Sequence, residues 1–351
     1  MAGRALALLL SLAFGGIGAE MVLRYLCTVC TWTEHNTGEY VSPYQGPPVN
    51  RWYHLRAPND VSTYGQPEFD FELSTNSLGI RDVEHPLEKP PGEFRIVGLG
   101  DSFTEGQGVP YDASYLKVLE KSLNQKQAQV RVRVIVGGVA GSDPFYCYRL
   151  FEDKLLPYDP DLVTLAINNS DITDIVTRGG NERFLPDGTV RFREPPQDEW
   201  LFARSHLYRV FLMLVLGHDW FGFSPSEHVA KWTDAVEKLK GIVDGFQKLG
   251  SQEGFRLVVI LHPDLNELVT ATYAFDVDAL KQHFSAKGIG YVDVMERFLK
   301  KAGPHRKDRE RLYWKKDFHH NEEGYRIFAE AVGEYLLANG YIQPSLSDSM
   351  Q

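Results

Sequence analysis

Ser102 and the segment Asp317-Phe318-His319-His320 hold the residue types from which acyl-transfer chemistry is built. Serine is a weak nucleophile until a histidine accepts its proton, and that histidine needs an acid to fix its tautomer and orientation. Ser102 sits in the glycine-rich stretch Gly98-Leu99-Gly100-Asp101-Ser102-Phe103-Thr104-Glu105-Gly106-Gln107-Gly108, and Asn321, Glu322, Glu323 and Gly324 follow the two histidines. Breaking an acyl bond also requires donors aimed at the oxyanion that develops. The amide of Ser102, the amide of Gly141 and a side chain of Asn168-Asn169-Ser170-Asp171 are the candidates. The competing role for Ser102 is that of a helix N-cap, which suits serine well.

Other chemistries fail on spacing. Gly98 and Gly100 are followed by Gly106 rather than by a glycine three residues on, so the dinucleotide fingerprint is not met. No Gly-Lys-Ser/Thr phosphate loop and no Gly-x-Ser-x-Gly elbow occurs in the chain. His, Cys and carboxylate residues show no zinc spacing, so neither metal nor cofactor is expected.

The apolar pattern supplies the elements that must bring these residues together. Phe94–Leu99, Val130–Val136, Leu162–Ile167, Leu257–Leu261 and Tyr291–Val294 read as buried strands. Helical patterns over Tyr115–Leu123, Phe145–Leu155, Val229–Leu249, Val277–Phe284 and Arg326–Leu337 alternate with them. Near-continuous apolar strands alternating with amphipathic helices predict an α/β fold with a parallel sheet covered on both faces. Ligands of such sheets bind at the carboxyl ends of the strands, where Ser102, Gly141 and the Asn168–Asp171 turn all fall.

Taken in order over residues 94–338, these blocks resemble the SGNH (GDSL) hydrolase family. Gly100-Asp101-Ser102-Phe103 is similar to its nucleophile block, and Gly138-Val139-Ala140-Gly141 to its second block, whose last glycine supplies an oxyanion amide. The resemblance implies a flavodoxin-like three-layer α/β/α sandwich with a shallow, flexible site. It implies Ser102 as nucleophile and Asp317 with a histidine as its partners, while Asp101 braces the loop. Two departures stand out. The third block reads Gly-x-Asn-Asp in the family, and here the register puts Ser170 at the asparagine position, with Asn169 as the other candidate donor. Asp-x-x-His spacing selects His320, whereas His-x-Asn-x-x-Gly selects His319, and His319 is the favoured base. His262-Pro263-Asp264 falls at another strand end, where a satisfied loop histidine is the favoured reading.

Composition sets the surroundings. A net charge of −10 gives no basic face for nucleic acid. Three cysteines, Cys27, Cys30 and Cys147, cannot form a disulfide framework, and the Cys27-x-x-Cys30 pair lies away from any strand–helix unit. Arg4 precedes the charge-free run Ala5–Ala19, which predicts an N-terminal hydrophobic helix over residues 1–27, an anchor in preference to a cleaved signal. Either places the rest of the chain outside the cytoplasm. Residues 28–90, rich in Pro and aromatics, read as a lead-in packed on a hydrolase-like domain over 91–343, with an insertion at about 172–227. Within that insertion the apolar run Leu207–Leu216 is too short to span a membrane and is expected to be a buried helix rather than a membrane contact. The charged segment Lys300–Lys316 is expected to be a solvated loop.

The chemistry expected is that of an esterase or deacylase acting on an acylated small molecule or a surface glycan. The alternatives are an O-acyltransferase using the same serine, and a non-catalytic carbohydrate-binding or scaffold protein with an eroded oxyanion site.

Overall fold

The computed structural model describes residues 2–26, 28–31, 38–44, 52–126 and 130–342. They fall into two compact units. The first comprises Met1–Gly46, Val176–Gly179 and Phe192–Asp234, and the second Pro47–Ile175, Gly180–Arg191 and Ala235–Gln351.

Among the described residues the second unit has seven strands, two in a hairpin and five in a parallel sheet. The hairpin pairs β1 (Val61–Gln66) with β2 (Phe69–Ser74) antiparallel. The sheet contains β3 (Glu93–Gly100), β4 (Arg131–Gly138), β5 (Leu162–Ile167), β6 (Arg256–Leu261) and β7 (Gly290–Asp293) in the order β4-β3-β5-β6-β7. Every pairing in it is parallel. The fold is therefore the α/β sheet with flanking helices that the apolar pattern implies. Ile96, Val97, Leu99, Leu162, Val163, Leu165, Val259 and Ile260 are wholly buried, as strands covered on both faces require.

Chain order reverses at β3, which lies between β4 and β5. Right-handed crossovers then send the connecting helices to opposite faces. Helix Tyr115–Lys126 packs on Glu322–Ala338, where the rings of Tyr115 and Phe328 stack at 4.2 Å and 4°. Helix Pro144–Leu150 meets Pro225–Glu253 through Tyr148 and Phe246, 4.9 Å apart. The helix expected over Phe145–Leu155 ends its α-helical part at Leu150 and closes as a π-helical turn, Phe151–Leu155. In open α/β sheets a reversal of strand order such as that at β3 marks the usual ligand position, beyond the carboxyl ends of the strands.

The first unit holds the N-terminal helix, Ala2–Leu26, whose Leu10, Phe14, Ile17, Met21, Val22, Tyr25 and Leu26 are exposed. Among the described residues no helix is long and apolar enough to cross a membrane. Glu20 caps a second helix, His206–Val210, by accepting the N–H groups of His206 (2.9 Å) and Leu207 (2.9 Å) and the hydroxyl of Ser205 (3.0 Å). Burial works to raise the Glu20 carboxyl, but these donors with Arg24 outweigh it and hold its pKa at about 2. Arg209 is fully buried and donates to the carbonyls of Phe202 and Ala203.

The run Leu207–Leu216 departs from expectation. It is not a buried helix, because Leu207, Phe211, Leu214, Val215 and Leu216 are all exposed and Leu212 alone of its apolar side chains is buried. The inner side of the segment is taken by Arg209 and its carbonyl partners, which leaves the aliphatic side chains facing outward. Cys30 is disulfide-bonded, Cys147 is free and buried, and Cys27 lies outside the described residues.

Candidate active site

Ser102 follows β3 directly, in a four-residue helix, Ser102–Glu105, whose N-cap is Asp101. The Asp101 carboxylate accepts the Phe103 N–H at 2.9 Å, so the capping role open to Ser102 is filled by its neighbour. The Ser102 hydroxyl instead lies 2.6 Å from Nε2 of His319. Nδ1 of His319 lies 2.6 Å from Oδ1 of Asp317, whose other oxygen accepts the Gln107 side-chain amide at 3.0 Å. Burial works to raise the Asp317 carboxyl. The hydrogen bond and charge of His319, together with Gln107, outweigh it and hold the group below the ordinary carboxylate value.

Two glycines make this approach possible. A Cβ on Gly100, whose φ is +157°, would meet Thr104 Oγ1 at 2.2 Å. A Cβ on Gly138 would meet the backbone N of Glu105 at 2.4 Å. The helix that carries Ser102 thus packs directly on the end of β4, where Gly100 and Gly138 are paired.

His320 is brought to the same place but in a different state. It is fully buried, neither ring nitrogen has a partner, and its ring stacks on Phe298 at 4.9 Å and 13°. Burial holds its pKa well below the ordinary value, with His262 and His319 adding to the effect, so the ring stays neutral. His262 is also buried, with its pKa lowered to about 4 chiefly by burial. Its Nε2 accepts from the Asn168 amide at 3.2 Å, but its Nδ1 has no partner, so the expected satisfied loop histidine is satisfied on one side only. Phe103 packs among all three histidines, with ring centroids 4.6 Å from His319, 5.0 Å from His262 and 5.1 Å from His320.

The third turn distributes its donors unevenly. The Asn168 amide is committed to Asp101 at 2.9 Å and to His262. The Ser170 hydroxyl lies 2.7 Å from Asn168 Oδ1 and 3.0 Å from Asp101 Oδ2, so its one proton braces the loop. The Asn169 amide makes a single long contact, 3.5 Å to Asp264. Gly141, with φ +80°, turns the chain after β4. Burial pushes the Asp171 carboxyl well above the ordinary value, and Asp101 adds to that. Among the described residues no group of three His, Cys, Asp or Glu could hold a metal ion.

Sequence reasoning missed the residues that hold these turns in place. Arg81, 1% exposed, donates to the carbonyls of Glu105 (3.2 Å), Gly106 (2.6 Å) and Val109 (2.8 Å) at the end of the Ser102 turn. Arg56 makes a two-pronged pair with Glu105, both contacts at 2.8 Å. His54 Nε2 donates to the carbonyl of Ala140 at 2.8 Å, in the second turn. Arg183, from the predicted insertion, forms a wholly buried pair at 2.7 Å with Asp143, which caps helix Pro144–Leu150. His54, Arg56 and Arg81 are thus part of the site's frame. Their signal in the sequence was only that buried arginines need partners, which names no partner. Phe318 was also missed: it sits between Asp317 and His319 with φ +66°, a left-handed backbone that bulky residues rarely adopt.

Residues 99–327 match the model of the GDSL-like lipase/acylhydrolase family. Solved structures similar to this chain include the lipase/acylhydrolase from Enterococcus faecalis, at 13% identity and a TM-score of 0.41, covering 72% of this chain and 98% of that one. An acetyl xylan esterase, AlAXEase, is similar at 15% identity and a TM-score of 0.42, covering 68% of this chain and 98% of that one. A two-domain esterase active on acetylated mannans matches at 12% identity and a TM-score of 0.42, over 73% of this chain and 51% of its own. No curated protein matches the sequence. With the family model running from the end of β3 through the turns after β3, β4 and β5 to the Asp317–His320 segment, the chain belongs to the GDSL-like lipase/acylhydrolase family and is a carboxylic ester hydrolase.

Proposed function

We propose that the chain hydrolyses acyl esters through an acyl-enzyme on Ser102, with His319 as general base and then general acid, and Asp317 as its orienting partner. The observation that carries this reading is the unbroken chain of contacts from Ser102 Oγ to His319 Nε2 and from His319 Nδ1 to Asp317, each 2.6 Å. In the first half-reaction Ser102 Oγ bonds to the acyl carbon as its proton passes to His319, which returns it to the departing alkoxide. In the second, His319 takes a proton from water as the water oxygen bonds to the acyl carbon, then gives it to Ser102 Oγ as the Oγ–acyl bond breaks, and the carboxylic acid leaves. The ionised Asp317 stabilises the imidazolium formed in each half. We assign the oxyanion to the amides of Ser102 and Gly141 with the Asn169 side chain. Its amide is the least engaged donor of the third turn.

The substrate class we assign is an acetylated glycan, handled outside the cytoplasm by a protein held at a membrane. Support comes from the charge-free run Ala5–Ala19, the exposed apolar side chains of the first unit and the disulfide at Cys30, which suits an oxidising compartment. The experiment is turnover of p-nitrophenyl acetate and acetylated xylan by the full chain, with flotation on phosphatidylglycerol-containing vesicles run beside it. Acetate release from both substrates, lost by roughly 10³-fold or more in Ser102→Ala, together with flotation, is expected. A wild-type chain that releases no acetate contradicts the enzymatic reading, and a chain that stays at the bottom of the gradient contradicts the membrane reading.

A further inference from the structure

We propose that Glu68, at the turn of the β1–β2 hairpin, is a positioning residue for the Asp317–His319 pair, a reading that rests on the triad assigned above. Its carboxylate accepts three consecutive backbone N–H groups, those of Lys315 (3.1 Å), Lys316 (2.6 Å) and Asp317 (3.2 Å). Successive amides converging on one anion form a concave anion site, filled here by a side chain of the same protein. The contact fixes the direction in which the backbone enters Asp317.

The neighbouring residues tie this clamp to the nucleophile turn. The ring of Phe69 lies 5.3 Å from that of Trp314, whose indole N–H donates to the carbonyl of Gly108 at 3.0 Å. One strap, from Trp314 to His319, is thus held at its start by the hairpin and by the last glycine of the Ser102 stretch. The strap also contains Phe318 in its left-handed conformation. A bulky residue stays there only when its surroundings hold it. With Glu68 removed, the three amides turn to water and the strap gains the freedom to relax Phe318 to an extended backbone. That movement takes Asp317 away from Nδ1 of His319. Glu68 acts through Asp317 and does not meet the reacting atoms.

The test uses the full chain and a readout independent of turnover, the downfield proton resonance of the His319–Asp317 hydrogen bond, assigned by its loss in His319→Ala. Glu68→Gln keeps an acceptor for the amides, and Glu68→Ala keeps none. The resonance is expected in wild type and Glu68→Gln and is expected to vanish in Glu68→Ala. Fluorophosphonate labelling of Ser102 should slow about ten-fold in Glu68→Ala and less than about two-fold in Glu68→Gln, with thermal unfolding still cooperative. Should Glu68→Ala fail to fold, Glu68→Asp, which shortens the reach by one methylene, serves in its place and should weaken both signals. An unchanged resonance in the truncated variant overturns the proposal, and so does a Glu68→Gln chain as impaired as Glu68→Ala, which would make the charge and not the clamp the active feature. A wild type that shows the resonance yet resists labelling contradicts the nucleophile assignment alone. A wild type without the resonance contradicts both.

Discussion

Among the described residues, all but four of the exposed large apolar side chains belong to the first unit, the exceptions being Val61, Val83, Leu87 and Phe318. Every residue of the candidate site belongs to the second. The second unit seals its apolar residues in a five-stranded sheet and spends its buried charges on loops: Arg81 on the Ser102 turn, Arg183 on the second turn, Arg95 on the carbonyls of Pro86, Leu87, Glu88 and Tyr158. The first unit uses the half-buried Glu20 and the buried Arg209 to join helices, and leaves its aliphatic faces uncovered. The difference teaches that buried ions mark what each unit must hold still. In one it is a set of turns around Ser102, in the other a pair of apolar helices.

The comparison can be broken most decisively at the two histidines. Ser102→Ala and His319→Ala should each lower kcat by roughly 10³-fold or more in p-nitrophenyl acetate hydrolysis. His320→Phe should retain most of kcat, since the neutral, stacked His320 ring makes no hydrogen bond. Loss of turnover in His320→Phe with His319→Ala still active would reverse the assignment. Next comes Arg183→Met, which strands the buried Asp143 carboxylate and should cost the second unit about 3–5 kcal/mol, read by denaturant unfolding. A cost under about 1 kcal/mol would show that the pair does not carry the second turn. Asn169→Ala should reduce kcat by about 10²-fold with KM little changed, and Ser170→Ala by much less. The reverse order would move the oxyanion donor to Ser170.

The smallest effect belongs to the first unit. Glu20→Ala removes a helix cap and should cost about 1 kcal/mol without affecting acetate release from p-nitrophenyl acetate. The pH dependence has a definite sign. The folded pKa of Glu20, about 2, lies below the ordinary 4.5, so the stability it contributes is present above pH 4.5 and is lost as pH falls toward about 2. Far-ultraviolet dichroism followed between pH 5 and 2 should show helix loss that Glu20→Gln makes less steep. An identical acid transition in that variant would contradict the cap's role.

The sheet and the blocks around Ser102 were legible because strands buried on both faces write themselves as unbroken apolar runs, because glycines at 100 and 138 stand where chains approach closely, and because Gly141 turns the chain at a positive φ. Asp-x-His against Asp-x-x-His was legible only as a choice; burial separates the two rings, and burial is not written in spacing. The clamps from Arg56, Arg81 and Glu68 were hidden, since contacts to backbone carbonyls and amides leave no periodic trace. Leu207–Leu216 misled for the opposite reason. An apolar run states what a segment would gain by burial, not whether the fold has surface left to bury it against.

The central claim is that Ser102 is a nucleophile activated by His319. It is tested most directly by treating the full chain with a fluorophosphonate and locating the adduct by peptide mass spectrometry. The expected result is a single adduct on Ser102, absent in Ser102→Ala, strongly slowed in His319→Ala and retained in His320→Phe. An unlabelled wild-type chain, or an adduct on another residue, would contradict it.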